Sequence, residues 1–341
     1  MKILYKIKAG SYLYGLTTPT SDIDYVGVYL EDTFSEHMDI FNSKDEIDLS
    51  VISKLNNGKN SEDAIDEKYY SLKKFLKLCS DCNPNIIELL YAPADCIEYV
   101  DTIFKSQILD HPELFINIKL VDRFIGYAKS QEQKSYTKSE NYIILDKLKQ
   151  GILKVLKHSS YWVLNELSPA RDLFSRQSFM APFPEFDNIT ITPITINHTA
   201  TNIETIYEIG DMKFSSGLHL KNVILQIEDR FKRASHRVDG ILINKYEPKF
   251  LSHTVRLLDE GCQLLTKKRI DFPFTEQSLA DIMNIKLGLT AVQDIPNIVN
   301  KYKDTLTELE KLDNNIPDKP DYICINKAYL TLIRGIYNEN I

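Results

Sequence analysis

The sequence predicts an α/β protein of the α+β kind, in which a small mixed β-sheet precedes a mainly helical region with a β-rich insertion. Residues 3–8 and 23–30 are runs of β-branched and aromatic residues that flank a Gly-Ser turn and a polar loop, as expected of two strands. From residue 101 to about residue 166, and again from residue 249 onward, apolar residues recur at helical spacing. Between these stretches, ITITPITINHTATNIETIYEIG predicts a small sheet or a long hairpin.

The other elements of the N-terminal region follow in chain order. Residues 43–63 are polar and contain Asn56-Asn57-Gly58, so we expect an exposed excursion there. Residues 64–70 predict a third strand, and Ser71 is placed to cap the helix that follows it. The apolar stripe of that helix is expected to consist of Leu72, Phe75, Leu76 and Cys79.

Length and composition set the domain plan. The chain has 341 residues, of which 43% are hydrophobic, which is enough for about two domains with real cores. We expect an α/β domain over residues 1–100 and a mainly helical domain over 101–341, with the β-rich insertion at about 180–247.

Charge and cysteine usage restrict the partners and the compartment. The 41 basic and 48 acidic residues give a net charge of −7, so a polyanion would have to be held by a local patch. The five cysteines are scattered, which is typical of reduced thiols in a cytoplasm. No stretch approaches the roughly 20 apolar residues of a membrane span, so we expect a cytoplasmic protein without a membrane partner.

The stretch AGSYLYGLTTPTSDIDYVGVYL, residues 9–30, combines a Gly-Ser turn with two aspartates. On a strand, Asp22 and Asp24 would project from the same face, where their charges are tolerated in water or around a cation. Gly10 allows close backbone approach, and the N–H groups of the turn together with the Ser11 hydroxyl can hold a phosphate. Each feature alone suits an ordinary turn or an exposed strand. Their ordered combination favours nucleotidyl transfer, which needs an anion nest and carboxylates for two metal ions.

A third carboxylate is expected from the third strand, AIDEKYYSL. Asp66 would share its face with Lys68 and Tyr70, whereas Glu67 would lie on the opposite face. Asp66 is therefore the better candidate for a polar cleft, and Asp63 and Glu67 stay open as alternatives.

These motifs resemble the signature of the DNA polymerase β nucleotidyltransferase superfamily, and more narrowly its RNA-repair-associated, RlaP-like branch. The matching residues are Gly10-Ser11-Tyr12-Leu13-Tyr14-Gly15 and Ser21-Asp22-Ile23-Asp24-Tyr25-Val26-Gly27. A second block, YSLKKFLKLCSDCNPNIIELLYAP at 70–93, also resembles the family, and the family's third aspartate falls on Asp66. The residues after Asp66 depart from the family pattern, because Glu67, Lys68 and Tyr69 stand where apolar residues are usual. The overall resemblance is to a bacteriophage member.

A third block, YEPKFLSHTVRLLDEG at 246–261, is similar to a helix of the same family. On a helix, Lys249, His253 and Arg256 fall within roughly 60° of one another, opposite an apolar stripe. The pattern alone also fits the solvated face of an amphipathic helix. The resemblance implies instead that Lys249 and Arg256 reach nucleotide phosphates or the acceptor backbone, with His253 alongside.

The resemblance implies an NTP-dependent, two-metal-ion nucleotidyltransferase. It would transfer an NMP from an NTP such as ATP, bound with Mg²⁺ or Mn²⁺, to an acceptor hydroxyl, with release of pyrophosphate. We expect the acceptor to be RNA, such as a tRNA-like molecule or a damaged RNA end, in the host cytoplasm. In this scheme Asp22 and Asp24 bridge the metals and Asp66 completes the nucleophile-side site, while Gly10 and Ser11 hold the β- and γ-phosphates.

Three alternatives stay open from the sequence. The first is an adenylyltransferase of the antitoxin type that modifies a protein, and the second is a non-catalytic module that binds nucleotide or RNA. A glycosyltransferase with an Asp-x-Asp motif suits the upstream Gly-Ser turn and the downstream apolar strand poorly. The nucleotide, the acceptor and the oligomeric state are left open.

Overall fold

The computed structural model describes residues 1–18, 21–39, 41–50, 65–158, 163–197, 203–234, 236–312 and 316–337. The chain divides into two compact units. Unit 1 consists of the described residues within 1–132 and 249–341, and unit 2 consists of those within 133–248. These units do not coincide with the predicted domains 1–100 and 101–341, because the last part of the chain belongs to the same unit as the N-terminal sheet.

Unit 1 contains a mixed sheet of five strands. The strands are β1 (Lys2–Ala9), β2 (Asp24–Leu30), β3 (Glu46–Asp48), β4 (Asp66–Ser71) and β5 (Ile97–Val100), in the spatial order β3-β4-β2-β1-β5. Strand β2 pairs antiparallel with β1 and parallel with β4, while β3 and β5 form antiparallel pairs at the two edges. The predicted small mixed sheet is therefore confirmed.

Unit 1 also contains helices on both sides, along the chain, of the segment that forms unit 2. Before residue 119 they are α1 (Ser11–Tyr14), α2 (Phe34–Met38), α3 (Leu72–Ser80), α4 (Pro84–Ile87) and α5 (Thr102–Phe104). Short turns of other helical types occupy Glu88–Tyr91, Lys105–Leu109 and Pro112–Phe115. After residue 247 they are α11 (Pro248–Lys267), α12 (Glu276–Lys286), α13 (Ile295–Lys311) and α14 (Tyr322–Tyr337).

The start of α3 agrees with its sequence pattern. The Ser71 hydroxyl oxygen accepts a hydrogen bond from the backbone N–H of Lys74, so Ser71 caps the helix as predicted. The predicted stripe is buried in full: Leu72, Phe75, Leu76 and Cys79. This helix anchors the chain directly after β4 and so fixes the strand that carries Asp66.

Unit 2 is helical with a small separate sheet. Helix α6 (Lys119–Lys157) begins in unit 1 and continues into unit 2, where it is followed by α7 (Ala170–Phe174), α8 (Gln177–Met180), α9 (Leu220–Ala234) and α10 (His236–Asn244). The strands β6 (Thr192–Asn197), β7 (Ile203–Ile209) and β8 (Met212–Ser215) form an antiparallel sheet in that order. The β-rich insertion among helices is confirmed, and its core includes Leu148, Phe214 and Val223.

In the part of the chain that the structure describes, we find no helix that combines the length and the apolar character needed to cross a membrane.

Candidate active site

The Gly-Ser turn leads directly from β1 into α1. Gly10 has φ of 61° and ψ of −134°, a conformation that L-residues with a side chain rarely adopt. A Cβ atom on Gly10 would lie 2.5 Å from Oδ2 of Asp24. The absence of a side chain at residue 10 therefore lets the turn lie directly against the first carboxylate of the site.

Two carboxylates meet at the start of the parallel strand pair. Asp24 opens β2 and lies directly opposite Asp66 of β4 in the strand register. Residues opposite each other in neighbouring strands project from the same face of a sheet, so the two side chains share one face. Asp22 precedes the strand, so the argument from strand alternation does not apply to it, although its charge acts on Asp24.

The electrostatics of Asp24 reflect this grouping. Burial raises the pKa of the Asp24 carboxyl, and the negative charges of Asp66 and Asp22 raise it further. The positive charge of Lys249 acts in the opposite direction. The negative charge of Asp24 is thus not balanced by the positive charge around it, and a bound cation would balance it.

Asp66 and its neighbour Glu67 have different surroundings. Asp66 is exposed, and its Oδ1 accepts a hydrogen bond of 2.9 Å from the Ser50 hydroxyl. Glu67 accepts a hydrogen bond of 2.6 Å from Nζ of Lys6 and another from the Tyr69 hydroxyl. Of these two carboxylates, only Asp66 lies opposite Asp24. The third candidate, Asp63, lies outside the described residues.

A lysine that sequence reasoning missed lies beside the Gly-Ser turn. Nζ of Lys286, the last residue of α12, donates to the Leu16 carbonyl at 2.5 Å and to Oγ of Ser11 at 3.3 Å. Burial lowers the pKa of Lys286, and the nearby charge of Lys249 lowers it further. A lysine in the last turn of a helix is a common helix-end residue, so its sequence context carries no signal for a site.

Helix α11 contributes Lys249 and His253 to the same region of unit 1. Lys249 is exposed, and its charge influences both Asp24 and Lys286. Burial lowers the pKa of His253 well below its usual range, and the charges of Arg256, Lys249 and Lys286 add to this effect. His253 is therefore neutral at neutral pH and can donate a hydrogen bond without adding charge.

Arg256 lies on the same helix and is the most buried of the three residues. The residue is 0% exposed, and its guanidinium forms ion pairs with Glu88 and Glu260 and lies 4.2 Å from the centre of the Tyr14 ring. The helix pattern predicts a solvated or phosphate-facing stripe, whereas most residues of α11 from Leu251 to Leu265 are buried. The structure thus gives Arg256 protein partners in place of the expected phosphate contact.

The residues present fit a divalent cation that is shared with a substrate. Among the described residues, no three His, Cys, Asp or Glu side chains are grouped closely enough to hold a metal ion by themselves. Mg²⁺ is commonly bound by one or two carboxylates together with substrate phosphates and water. Asp24 and Asp66 supply such a pair, and the raised pKa of Asp24 agrees with a site that lacks its counter-charge.

A profile of the RlaP family, described as the RNA repair pathway DNA polymerase beta family, matches residues 1–161. The matched region contains the mixed sheet, the Gly-Ser turn and all three aspartates. This match confirms the resemblance of residues 1–161 to the RlaP family of the DNA polymerase β superfamily, a superfamily of nucleotidyltransferases.

The chain is also similar over its length to a protein of Enterobacteria phage T4, the "Uncharacterized 38.9 kDa protein in nrdC-mobD intergenic region". The two are 25% identical over 356 aligned positions, which cover 99% of this chain and 100% of the phage protein. The similarity agrees with the expectation of a phage member. No solved structure matches the chain significantly.

Proposed function

We propose that this protein is a nucleotidyltransferase that moves an NMP from an NTP to an acceptor hydroxyl and releases pyrophosphate. The main support for the proposal is the position of the acidic pair Asp24 and Asp66 beside the turn at Gly10. Nζ of Lys286 donates a hydrogen bond to the adjacent Ser11 hydroxyl. Among the described residues, Asp24 and Asp66 lack a balancing positive charge, and they lie next to a turn that is suited to bind an anion. A metal-bound triphosphate requires this arrangement. The match of residues 1–161 to the DNA polymerase β superfamily supports the same chemistry.

In the proposed reaction, the acceptor oxygen forms a bond to the α-phosphorus, and the bond from that phosphorus to the β-bridging oxygen breaks. Pyrophosphate leaves with the bridging oxygen. Asp66 would receive the hydroxyl proton on Oδ2, since its Oδ1 already accepts the hydrogen bond from Ser50. Mg²⁺ or Mn²⁺, held by Asp22, Asp24 and Asp66, would supply charge stabilisation at the phosphates and lower the pKa of the hydroxyl.

The basic groups would hold the triphosphate in this scheme. Ser11 and the turn at Gly10 would bind the β- and γ-phosphates, and Lys286 and Lys249 would supply the positive charge. Neutral His253 would donate a hydrogen bond alongside them. Arg256 would not contact the triphosphate, because the residue is buried.

RNA is the acceptor class that we propose, because the matching family is described as belonging to an RNA repair pathway. Because the chain as a whole is acidic, RNA would have to be bound by a local basic surface. A phage-encoded protein would encounter its acceptor in the host cytoplasm. Transfer to a protein hydroxyl and nucleotide binding without turnover are the competing outcomes of the test.

The test is incubation of the purified chain with each α-³²P-labelled NTP, Mg²⁺ or Mn²⁺, and host lysate. We expect pyrophosphate release and label that becomes soluble after RNase treatment but persists after protease treatment. Label removed by protease alone would replace the RNA acceptor with a protein. Absence of pyrophosphate release with every NTP and both metals would contradict the enzymatic proposal.

Lys286 offers a separate prediction. Replacing it with glutamine should raise the KM for NTP by roughly 10- to 100-fold, because a hydrogen bond to a charged group contributes about 1.5–3 kcal/mol. The change in kcat should be smaller, since phosphates away from the reacting centre are held in both the ground state and the transition state. Steady-state kinetics of both parameters check this.

Lys301→Gln is the matched control, because Lys301 is an exposed lysine of unit 1 whose Nζ lies 3.6 Å from Asp281. It should leave KM unchanged. An equal KM in the Lys286 and Lys301 variants would remove Lys286 from the proposed site.

A further inference from the structure

The buried surroundings of Arg256 join three segments of unit 1. Nη1 of Arg256 contacts Glu88 and lies 2.8 Å from Oε1 of Glu260, and the guanidinium covers the Tyr14 ring. The Tyr14 hydroxyl donates to Oε1 of Glu88 at 2.7 Å, while Nη2 of Arg256 donates to Asn85 at 3.4 Å. We call Arg256, Glu88, Glu260 and Tyr14 the buried cluster. It links α1, the segment 85–88 and α11.

The contribution of such a buried cluster to the stability of the folded state does not by itself explain its presence. Two carboxylates and one guanidinium lose their hydration together, and replacing buried ion pairs by apolar side chains is often neutral or stabilising. The balance is incomplete here, because Nε of Arg256 and Oε2 of Glu260 are buried without a hydrogen-bond partner. A buried ionic cluster does, however, fix one geometry, since shifted arrangements would leave charges unpaired.

The geometry that the cluster fixes includes the proposed phosphate site. Tyr14 ends the single helical turn that begins at Ser11, so contacts that hold the Tyr14 ring also restrain the turn that carries the Ser11 hydroxyl. On α11, His253 lies three residues before Arg256 and Lys249 lies seven before it, on the same helix. The cluster is thus a direct polar connection between α1 and α11, two of the elements that carry the proposed phosphate ligands.

We propose that Arg256 and Glu88 are positioning residues, which set the place of Ser11 on α1 relative to Lys249 and His253 on α11. The inference rests on the proposed function, because it assigns the cluster a role at the same triphosphate site. Arg256 itself touches no substrate in this scheme. Its effect is transmitted through Tyr14 to the Gly-Ser turn.

The experiment compares three conservative variants. Arg256→Lys keeps the charge but loses the planar fork, and Glu88→Gln keeps the shape but loses the charge. Asp259→Asn is the matched control: Asp259 lies on the same helix, is buried, and accepts hydrogen bonds of 2.7 Å from Gln263 and 2.8 Å from Ser278. For each variant, the melting temperature, the Kd of inorganic tripolyphosphate and the kcat for pyrophosphate release are measured.

We expect Arg256→Lys and Glu88→Gln to weaken tripolyphosphate binding and to lower kcat, each by about 10-fold or more. Asp259→Asn should change both by less than about twofold at a comparable loss of thermal stability. If binding and kcat follow the melting temperature equally in all three variants, the cluster is merely structural and the inference is overturned.

The two measurements separate this inference from the proposed function. If the wild-type chain binds tripolyphosphate but releases no pyrophosphate, the enzymatic proposal fails, and the Kd values of the variants still decide the positioning role. If the wild-type chain binds no tripolyphosphate at any concentration up to millimolar, the site is not a phosphate site and the inference falls with it.

Discussion

Replacing Asp24 with asparagine is expected to lower NTP turnover by about 10³-fold and, at the same time, to raise the melting temperature of the ligand-free protein at neutral pH. Turnover falls because Asn supplies no negative charge for the divalent cation at the reacting phosphates, a contribution of several kcal/mol to the barrier. Stability rises because the carboxylate is buried beside Asp66 and Asp22 without a sufficient counter-charge. Pyrophosphate release and thermal unfolding measure the two effects.

The stability effect has a defined pH dependence. The pKa of Asp24 in the folded protein is raised, so the unfolded chain releases this proton at lower pH than the folded chain does. The contribution of Asp24 to stability is fully present below its unfolded pKa and is lost as the pH rises through its folded pKa. The melting temperature of Asp24→Asn minus that of the wild type should therefore grow from acidic to neutral pH.

Asp39→Asn serves as the control with the opposite sign. Hydrogen bonds from the Asn42 side chain and from the backbone N–H groups of Phe41 and Asn42 lower the pKa of Asp39, so its carboxylate stabilises the folded state above its unfolded pKa. This variant should lose stability toward neutral pH and keep full turnover. Mg²⁺ together with an NTP should raise the melting temperature of the wild type and of Asp39→Asn by more than that of Asp24→Asn. Normal turnover in Asp24→Asn would contradict the assignment of the site.

Much of the local structure follows from short-range pattern. The strands β1, β2 and β4, the Ser71 cap and the buried stripe of α3 are each determined by neighbouring residues, through alternation, side-chain capping and helical periodicity. The catalytic motif at residues 10–27 is also recognisable from the sequence, because its glycine, serine and aspartates occur close together. Features of this kind are readable without knowledge of the tertiary fold.

The remaining site features depend on long-range packing. The opposition of Asp24 and Asp66 comes from a parallel strand register across some 40 residues, and Lys286 reaches Ser11 from 275 residues away in the chain. The helical periodicity around Arg256 gives its angular position on α11 but not the identity of what packs there. That Glu88 and Tyr14 cover this side of the helix follows only from the three-dimensional structure.

Gly10→Ala should reduce kcat by roughly 100-fold, because a displacement of about 1 Å in a catalytic group can cost that much. The backbone at residue 10 has φ of 61° and ψ of −134°, where a side chain adds about 1–3 kcal/mol of strain. The new Cβ would also stand 2.5 Å from Oδ2 of Asp24, so the carboxylate or the turn has to move. Steady-state kinetics and chemical unfolding measure the two consequences.

Gly210→Ala separates backbone strain from the contact with the carboxylate. Gly210 also has a positive φ, of 59°, but a Cβ there would meet its nearest neighbours at 3.6 Å, which is ordinary contact. Both alanine variants should therefore lose stability, and only Gly10→Ala should lose turnover. Combining Gly10→Ala with Asp24→Ala should cost less stability than the sum of the two single changes, because removing the carboxylate removes the contact. Additive costs would mean that the turn does not lie against Asp24, and the acidic pair and the phosphate turn would no longer form one site.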